Sequence, residues 1–215
     1  MDQQSGPEDP VVLSYLTLRQ AVGIIGCALP FVLAFGNIIL QRRLFIECSI
    51  SDYYYTEMGS VFVGGLCAIG VFLFSVRGYD LRDEIAGRLA CLFAVGVALF
   101  PTNPCTGGTS VIGYLHLTFA ALLFLTLSYF SLALFTETDP NKTPTLQKLQ
   151  RNVVYRVCGW TILACIFSIA LIKLTALKNL LDRLDPIFWL ESIAVISFGV
   201  SWLTKGETIL KDEEG

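Results

Sequence analysis

The sequence predicts an all-α fold, a polytopic six-transmembrane-helix bundle forming one membrane domain over residues 1–215. Three observations predict it. Of the 215 residues 54% are hydrophobic, and only 15% are charged, where a soluble domain carries about 25%. Mean hydropathy is +0.64. The apolar residues also fall into six blocks, each long enough to cross roughly 30 Å of hydrocarbon at about 1.5 Å per residue. Lipid offers no partner to backbone N–H and C=O groups, so a spanning block satisfies them internally as a helix, and no block alternates as a barrel strand does.

The first block covers residues 16–40 and carries no Lys or Arg after Arg19. Asp2, Glu8 and Asp9 precede it in place of a short basic head, and no A-x-A site ends it, so it reads as a span and not as a cleaved leader. The second covers 56–76. The third covers 84–100, with Arg88 near enough to its end to snorkel. The fourth runs over 111–135, the fifth over 153–172 and the sixth over 186–204. Asp185-Pro186 opens the sixth as an N-cap followed by proline in the first turn. Gly23, Gly26, Gly59, Gly64, Gly65, Gly70 and Gly113 supply small faces for close helix packing, as do Ser197, Gly199 and Ser201 in the last span. Trp202 to Lys205 reads as a headgroup anchor at that helix's end.

Basic residues near the helix ends set the orientation. One side receives Arg19, Arg77, Arg82, Arg88, Lys142, Lys148, Arg151, Arg156, Lys205 and Lys211, ten in all; the other receives Arg42, Arg43, Lys173, Lys178 and Arg183, five in all. Both termini are therefore expected in the cytoplasm, and the segments 41–55, 101–110 and 173–185 outside. The net charge of −3 comes with no basic cluster that suggests nucleic acid. Membrane lipids are the expected partners, with a homo-oligomer left open. The inner segment 136–152 carries the turn signals Asp139-Pro140 and Thr143-Pro144 and reads as a solvated connection. The terminal Lys-Asp-Glu-Glu-Gly matches no retention or prenylation signal.

Five of the seven cysteines, Cys27, Cys67, Cys91, Cys158 and Cys165, fall inside spans. Cys48 and Cys105 lie in outer segments, where an oxidising compartment would allow one disulfide between the first and second loops, although sequence does not show that their Cα atoms approach within roughly 7 Å. Two free thiols are the alternative.

Ionisable groups at membrane depth cost roughly 2.5–3.5 kcal/mol on insertion scales and mark functional sites by default. Glu57 opens the second span behind Asp52, Tyr53, Tyr54 and Tyr55; His116, the single histidine, lies about one and a half turns into the fourth; Glu191 lies at a similar depth in the sixth. The pair Arg42-Arg43 and Thr102-Asn103 share that outer level. Polar groups from five helices at one depth point to an outward-opening pocket between helices. The bland reading is an interfacial belt of aromatic and charged side chains. A catalytic zinc site usually takes three ligands, commonly with more than one His or Cys, so one histidine among scattered carboxylates predicts no metal and no cofactor. No nucleophile elbow is present and no catalytic residue is assigned.

The stretch Ser49-Ile50-Ser51-Asp52-Tyr53-Tyr54-Tyr55-Thr56 running into Val61-Phe62-Val63-Gly64 resembles a group of bacterial multi-pass membrane proteins known as a domain of unknown function. His116-Leu117-Thr118-Phe119-Ala120-Ala121 and Phe198-Gly199-Val200-Ser201-Trp202-Leu203-Thr204-Lys205-Gly206 resemble it too. The resemblance touches most of the chain and implies a fold and a bacterial inner membrane, but no activity. More distantly, Ile50-Ser51-Asp52 followed by a histidine in span four is similar to the Frag/DRAM/Sfk group of six-span eukaryotic proteins, tied to lipid remodelling, lipid-anchor maturation and autophagy. Tyr53-Tyr54-Tyr55 departs from that group, which tends to have a Thr/Gly-containing stretch and a proline-containing segment there. That similarity carries over only Asp52 and His116.

The expected function is binding of a lipid or small amphiphile in an outward-facing pocket, with Asp52, Tyr53, Tyr54, Glu57, His116, Glu191 and Arg43 as candidate ligand-binding residues. A proton- or ion-coupled carrier or channel is the alternative, and it requires a continuous polar path. A lipid-modifying enzyme comes third and requires Asp52 and His116 within hydrogen-bond reach.

Overall fold

The computed structural model describes residues 10–75, 81–105, 108–138, 143–175 and 184–210, with side chains from residue 15 onward. The Asp139-Pro140 turn, the Lys-Asp-Glu-Glu-Gly tail and the charges of Arg77, Lys142, Lys178, Arg183 and Lys211 lie outside the described residues. The described residues are helical or irregular, with no strand among them. In chain order they form α1 (Pro10–Gln41), a 3₁₀ turn (Ser51–Tyr55), α2 (Gly59–Ser75), α3 (Leu81–Leu99), α4 (Val111–Tyr129) continued by a π-helical turn (Phe130–Leu134), α5 (Leu146–Leu174) and α6 (Pro186–Lys205).

Four helices are long and apolar enough to cross a membrane: α1, α4 with its π turn, α5 and α6. The α2 helix is apolar but shorter, at 17 residues, and α3 begins with Arg82, Asp83, Glu84 and, one turn on, Arg88. The structure thus supports four long apolar helices and one shorter one.

Each helix packs against the next along the chain, and α6 returns to close the ring on α1. Local signals fix the ends. The Ser110 side chain accepts from Gly113 N–H at 3.0 Å to cap α4, and the Thr145 side chain accepts from Lys148 N–H at 3.1 Å to cap α5. Asp185 is a correction: it precedes α6 in the left-handed region, φ 44°, and its side chain does not cap the helix. Pro186 at the first position starts the helix instead.

The ring is apolar inside and outside. Val22, Leu33, Phe62, Leu73, Ala90 and Ile162 are buried, whereas Phe35, Ile39, Phe74, Leu92, Trp160 and Phe167 are all more than half exposed. Water does not tolerate apolar side chains exposed on this scale around a whole bundle, and lipid does. Trp202 departs from its predicted headgroup position. It is 1% exposed and meets Phe130, Phe135 and Phe198 at centroid distances of 5.6, 5.2 and 6.0 Å. It belongs to the aromatic core at the end of the ring where α6 ends, because α6 turns that face toward the π turn. Beside it the Ser131 and Ser201 hydroxyls, both fully buried, pair at 2.8 Å.

Ring closure depends on two glycines. A Cβ on Gly199 would lie 2.7 Å from Cys27 N and 2.8 Å from Gly23 O; a Cβ on Gly23 would lie 2.8 Å from Leu203 N and 2.9 Å from Gly199 O. Backbone faces backbone at this crossing, so nothing can move aside, which is the close approach that small residues allow between apolar helices. Gly64, expected to pack likewise, has no atom within 4 Å of its would-be Cβ. Gly199→Ala is therefore expected to lower stability by about 1–3 kcal/mol, the usual cost of overpacking, while Gly64→Ala changes it by no more than about 1 kcal/mol, in the direction of greater stability. Thermal unfolding of both variants in detergent checks the contrast; equal behaviour would show that the seam is not closed by these atoms.

Candidate functional site

The end of the ring that the bias of basic residues is expected to place outside, its outer end, is covered by the loop between α1 and α2. Arg42 ends α1 in the left-handed region, φ 53°, and the chain crosses to the 3₁₀ turn. Two bonds from α6 hold it there. Glu191 accepts the Ile50 N–H at 2.7 Å through Oε2, and Phe188 N–H donates to Cys48 O at 3.0 Å. Within the loop, Ser49 Oγ donates to Asp52 Oδ2 at 2.7 Å and accepts the Asp52 N–H at 3.1 Å, so the two residues lock each other. Tyr53, fully buried, sets its ring 6.2 Å from that of Phe188 and accepts Glu47 N–H on its hydroxyl at 3.4 Å.

The loop between α3 and α4 joins this assembly at two points. The Tyr55 hydroxyl donates to Thr102 O at 2.6 Å. Cys48 and Cys105 are bonded, with Cα atoms 6.5 Å apart, inside the range a disulfide spans. Asn103 Oδ1 accepts both the N–H and the hydroxyl of Ser110 at 2.8 and 2.9 Å, tying the loop to the start of α4. His116, 1% exposed, places Nδ1 2.6 Å from Phe100 O. A carbonyl there requires the proton on Nδ1, so the ring serves the carbonyl that leaves the end of α3.

A cavity of about 450 Å³ opens at this end. The α1–α2 loop lines it with Cys48, Ser49 and Asp52 and the α3–α4 loop with Thr102, Asn103, Cys105 and Thr109; Tyr114 and Leu117 come from α4, Ile172, Lys173 and Leu174 from α5, and Asp185, Pro186 and Ile187 from the start of α6. A second, smaller space of about 50 Å³ lies on the axis of the ring. Glu191 and Ser51 close it at the top, and its other walls are apolar, among them Leu29, Phe62, Leu66, Leu123 and Phe198.

Of the seven predicted binding residues, only Asp52 lines the large cavity. Arg43 and Glu57 are exposed and line neither space. Tyr54 is half-buried, edge-on to Tyr55 at 5.3 Å. Tyr53 and His116 are enclosed, and Glu191 faces the axial space. No hydrogen bond joins Asp52 to His116 among the described residues. The residues that sequence reasoning passed over are Lys173, Tyr114, Leu117 and Asp185. Lys173 alone left a signal, as a basic residue closing an apolar run on the side that basic residues avoid.

Asp52 is 8% exposed. Loss of hydration raises its pKa above the ordinary carboxylate range; the hydrogen bonds from Ser49 and the charge of Lys173 pull it partway back. Burial raises Glu47 likewise, against the hydrogen bond that Asn37 donates to it at 3.3 Å. Asp52 Oδ2 also lies 3.6 Å from Cys105 Sγ, but a sulfur bonded to Cys48 has no proton to donate. The two sulfurs and the Asp52 carboxylate lie within 4.8 Å of one another, near enough to share a metal ion, yet bonded sulfurs are not thiolate ligands.

No protein-family model matches the chain, and neither the curated proteins nor the solved structures compared with it include a match. The resemblances carried by Ser49 to Gly64, His116 to Ala121 and Phe198 to Gly206 find no support in these comparisons.

Two expectations follow from this geometry. With Cys27, Cys67, Cys91, Cys158 and Cys165 free and one disulfide, the denatured chain should take five thiol labels before reduction and seven after. Mass spectrometry reads the count, and seven before reduction would remove the disulfide. The second concerns pH. A carboxyl whose pKa is higher in the folded than in the unfolded chain holds its proton more tightly when folded; it contributes stability below its unfolded pKa and loses that contribution as pH rises through the folded value. The melting temperature of the wild type should therefore fall, relative to Asp52→Asn, as pH rises from the ordinary aspartate range, about 3.9, toward neutrality. A constant difference between the two would mean that Asp52 is not desolvated.

Proposed function

We propose that this chain crosses the membrane six times, with both termini in the cytoplasm, and that its outer cavity binds a membrane lipid or other small amphiphile. The six-span reading is supported by the closed ring, in which α2 and α3 sit between longer apolar neighbours and expose Phe74 and Leu92 outward as those neighbours expose theirs. The orientation is supported by the described basic residues. Arg19, Arg82, Arg88, Lys148, Arg151, Arg156 and Lys205 gather at the end opposite the cavity, and Arg42, Arg43 and Lys173 at the cavity's end, seven against three.

The single observation that carries the binding reading is the make-up of the cavity. Its lining combines the polar side chains of Asp52, Thr102, Asn103 and Lys173 with the apolar ones of Leu117, Ile172, Leu174 and Ile187. A volume of about 450 Å³ falls in the range of small-molecule sites. A lining that offers both charged or polar groups and apolar side chains suits a molecule that carries both.

The conduit reading has less support. Beyond Glu191 and Ser51 the axial space is lined by apolar side chains, among them Leu29, Phe62, Leu66, Leu123, Leu127 and Phe198, followed toward the inner end by Phe130 and Trp202. None of these apolar groups relays a proton or coordinates an ion.

Leu117→Trp places a larger side chain in the cavity from α4 without replacing any of the polar lining residues. Native mass spectrometry of the purified protein should then show the co-purified amphiphile reduced to a small fraction of its wild-type occupancy. Undiminished occupancy would show that whatever binds does so elsewhere.

A further inference from the structure

We propose that the ligand of the outer cavity carries a primary ammonium and a phosphate, the ammonium at Asp52 and the phosphate at Lys173, as a phosphoethanolamine lipid does. This rests on the amphiphile-binding reading and narrows it.

Asp52 supplies the first argument. Its Oδ2 is served by the Ser49 hydroxyl, while its Oδ1 is buried with no hydrogen-bond partner. A carboxylate oxygen in that position needs a donor, since an unmet buried acceptor keeps its full desolvation cost. A primary ammonium brings three N–H donors and a compensating charge. A quaternary ammonium brings the charge without a donor.

Lys173 supplies the second. It lines the cavity, is exposed, and has no carboxylate within ion-pair distance among the described residues. An ammonium on a flexible stem at the level of lipid headgroups recognises phosphate as a point charge.

Charge balance supplies the third. Among the described lining residues Asp52 and Asp185 are acidic and Lys173 is basic. A wholly anionic headgroup would bring its charge against the Asp52 carboxylate, whereas a zwitterion offers Asp52 and Lys173 each its opposite. The apolar lining of Leu117, Ile172 and Leu174 gives an acyl chain a place that a free phosphoamine leaves unused.

The test measures binding to the purified full-length chain by native mass spectrometry. The probes are phosphatidylethanolamine, phosphatidylcholine and phosphatidylglycerol of identical acyl chains, a long-chain primary amine, and soluble glycerophosphoethanolamine. The wild type should prefer phosphatidylethanolamine to both other lipids by about tenfold or more, as loss of one hydrogen bond to a charged group predicts. Lys173→Ala should weaken phosphatidylethanolamine and leave the long-chain amine unaffected. Asp52→Asn should narrow the gap between ethanolamine and choline lipids. Equal binding of the three lipids by the wild type overturns the headgroup assignment, and needs no variant to fold. Competition by glycerophosphoethanolamine as effective as that of the lipid overturns the lipid part. The amphiphile reading itself fails in a different way, when no probe binds above detergent and Leu117→Trp changes nothing.

Discussion

The outer face of this bundle is organised by one hydrogen bond, from the Ile50 N–H to the Glu191 carboxylate at 2.7 Å. The first N–H groups of any helical turn have no partner within it, and the Ser51–Tyr55 turn lies over an apolar ring where water is scarce. A carboxylate sent up from α6 meets that need and fixes the loop to the last helix, 141 residues away in sequence. With the loop held, Ser49 and Asp52 lock each other, Tyr53 packs on Phe188, and Cys48 is brought to Cys105. The α3–α4 loop is then tied across the top by a covalent link and by Tyr55 on Thr102. The cavity is what this roof leaves beside it. Where α4 and α5 touch through Ser128, Leu132 and Gly159 they do so in their inner halves, and the outer halves part around Tyr114, Leu117, Ile172 and Lys173.

Depth in the membrane is therefore a poor guide to function in this molecule. Glu191 and His116 are the most deeply placed ionisable groups that the sequence offers, and both are bonded to backbone. Each satisfies an atom that lipid would leave orphaned, which offsets the cost of carrying a polar side chain to that level. Asp52 differs in having one oxygen left over and a cavity at its side. The useful distinction lies in hydrogen-bond accounting. A buried polar group whose valences are met is structure, and one with a valence unmet beside open space is a candidate site.

Much of the fold was legible because the hydrophobic effect in a membrane writes itself in blocks. The described helices fall on all six apolar blocks, and their ends follow local signals such as Ser110 and Thr145. With four charges in its first eight residues, α3 is a helix that is not among the four long apolar ones. The site was legible only in part, and the reason is geometrical. Sequence position along a span gives an expected height in the bilayer, and that expectation is the same for Arg43, Glu57, Asp52 and Glu191. It does not give the direction around the bundle, which depends on how neighbouring helices pack. Arg43 and Glu57 turn out to face solvent, and Lys173 joins Asp52 from a helix more than a hundred residues later. Trp202 fails for the same reason: its height suits a headgroup anchor, but its direction is inward.

The closed axis bears on how any ligand would come and go. A space of about 50 Å³ holds a few waters at most, and its apolar walls give such waters too few partners to keep them. Below it the aromatic side chains of Phe130, Phe135 and Trp202 fill the inner end. The large cavity is lined by the loops and helix ends at one end of the ring, and by no residue of this aromatic cluster. An amphiphile entering there needs no passage through the protein: its headgroup stays at headgroup level and its chain stays at chain level, so exchange with the surrounding leaflet costs little desolvation. That economy suits a protein that recognises a lipid in place, and it suits poorly one that must move a polar solute from one side of a membrane to the other.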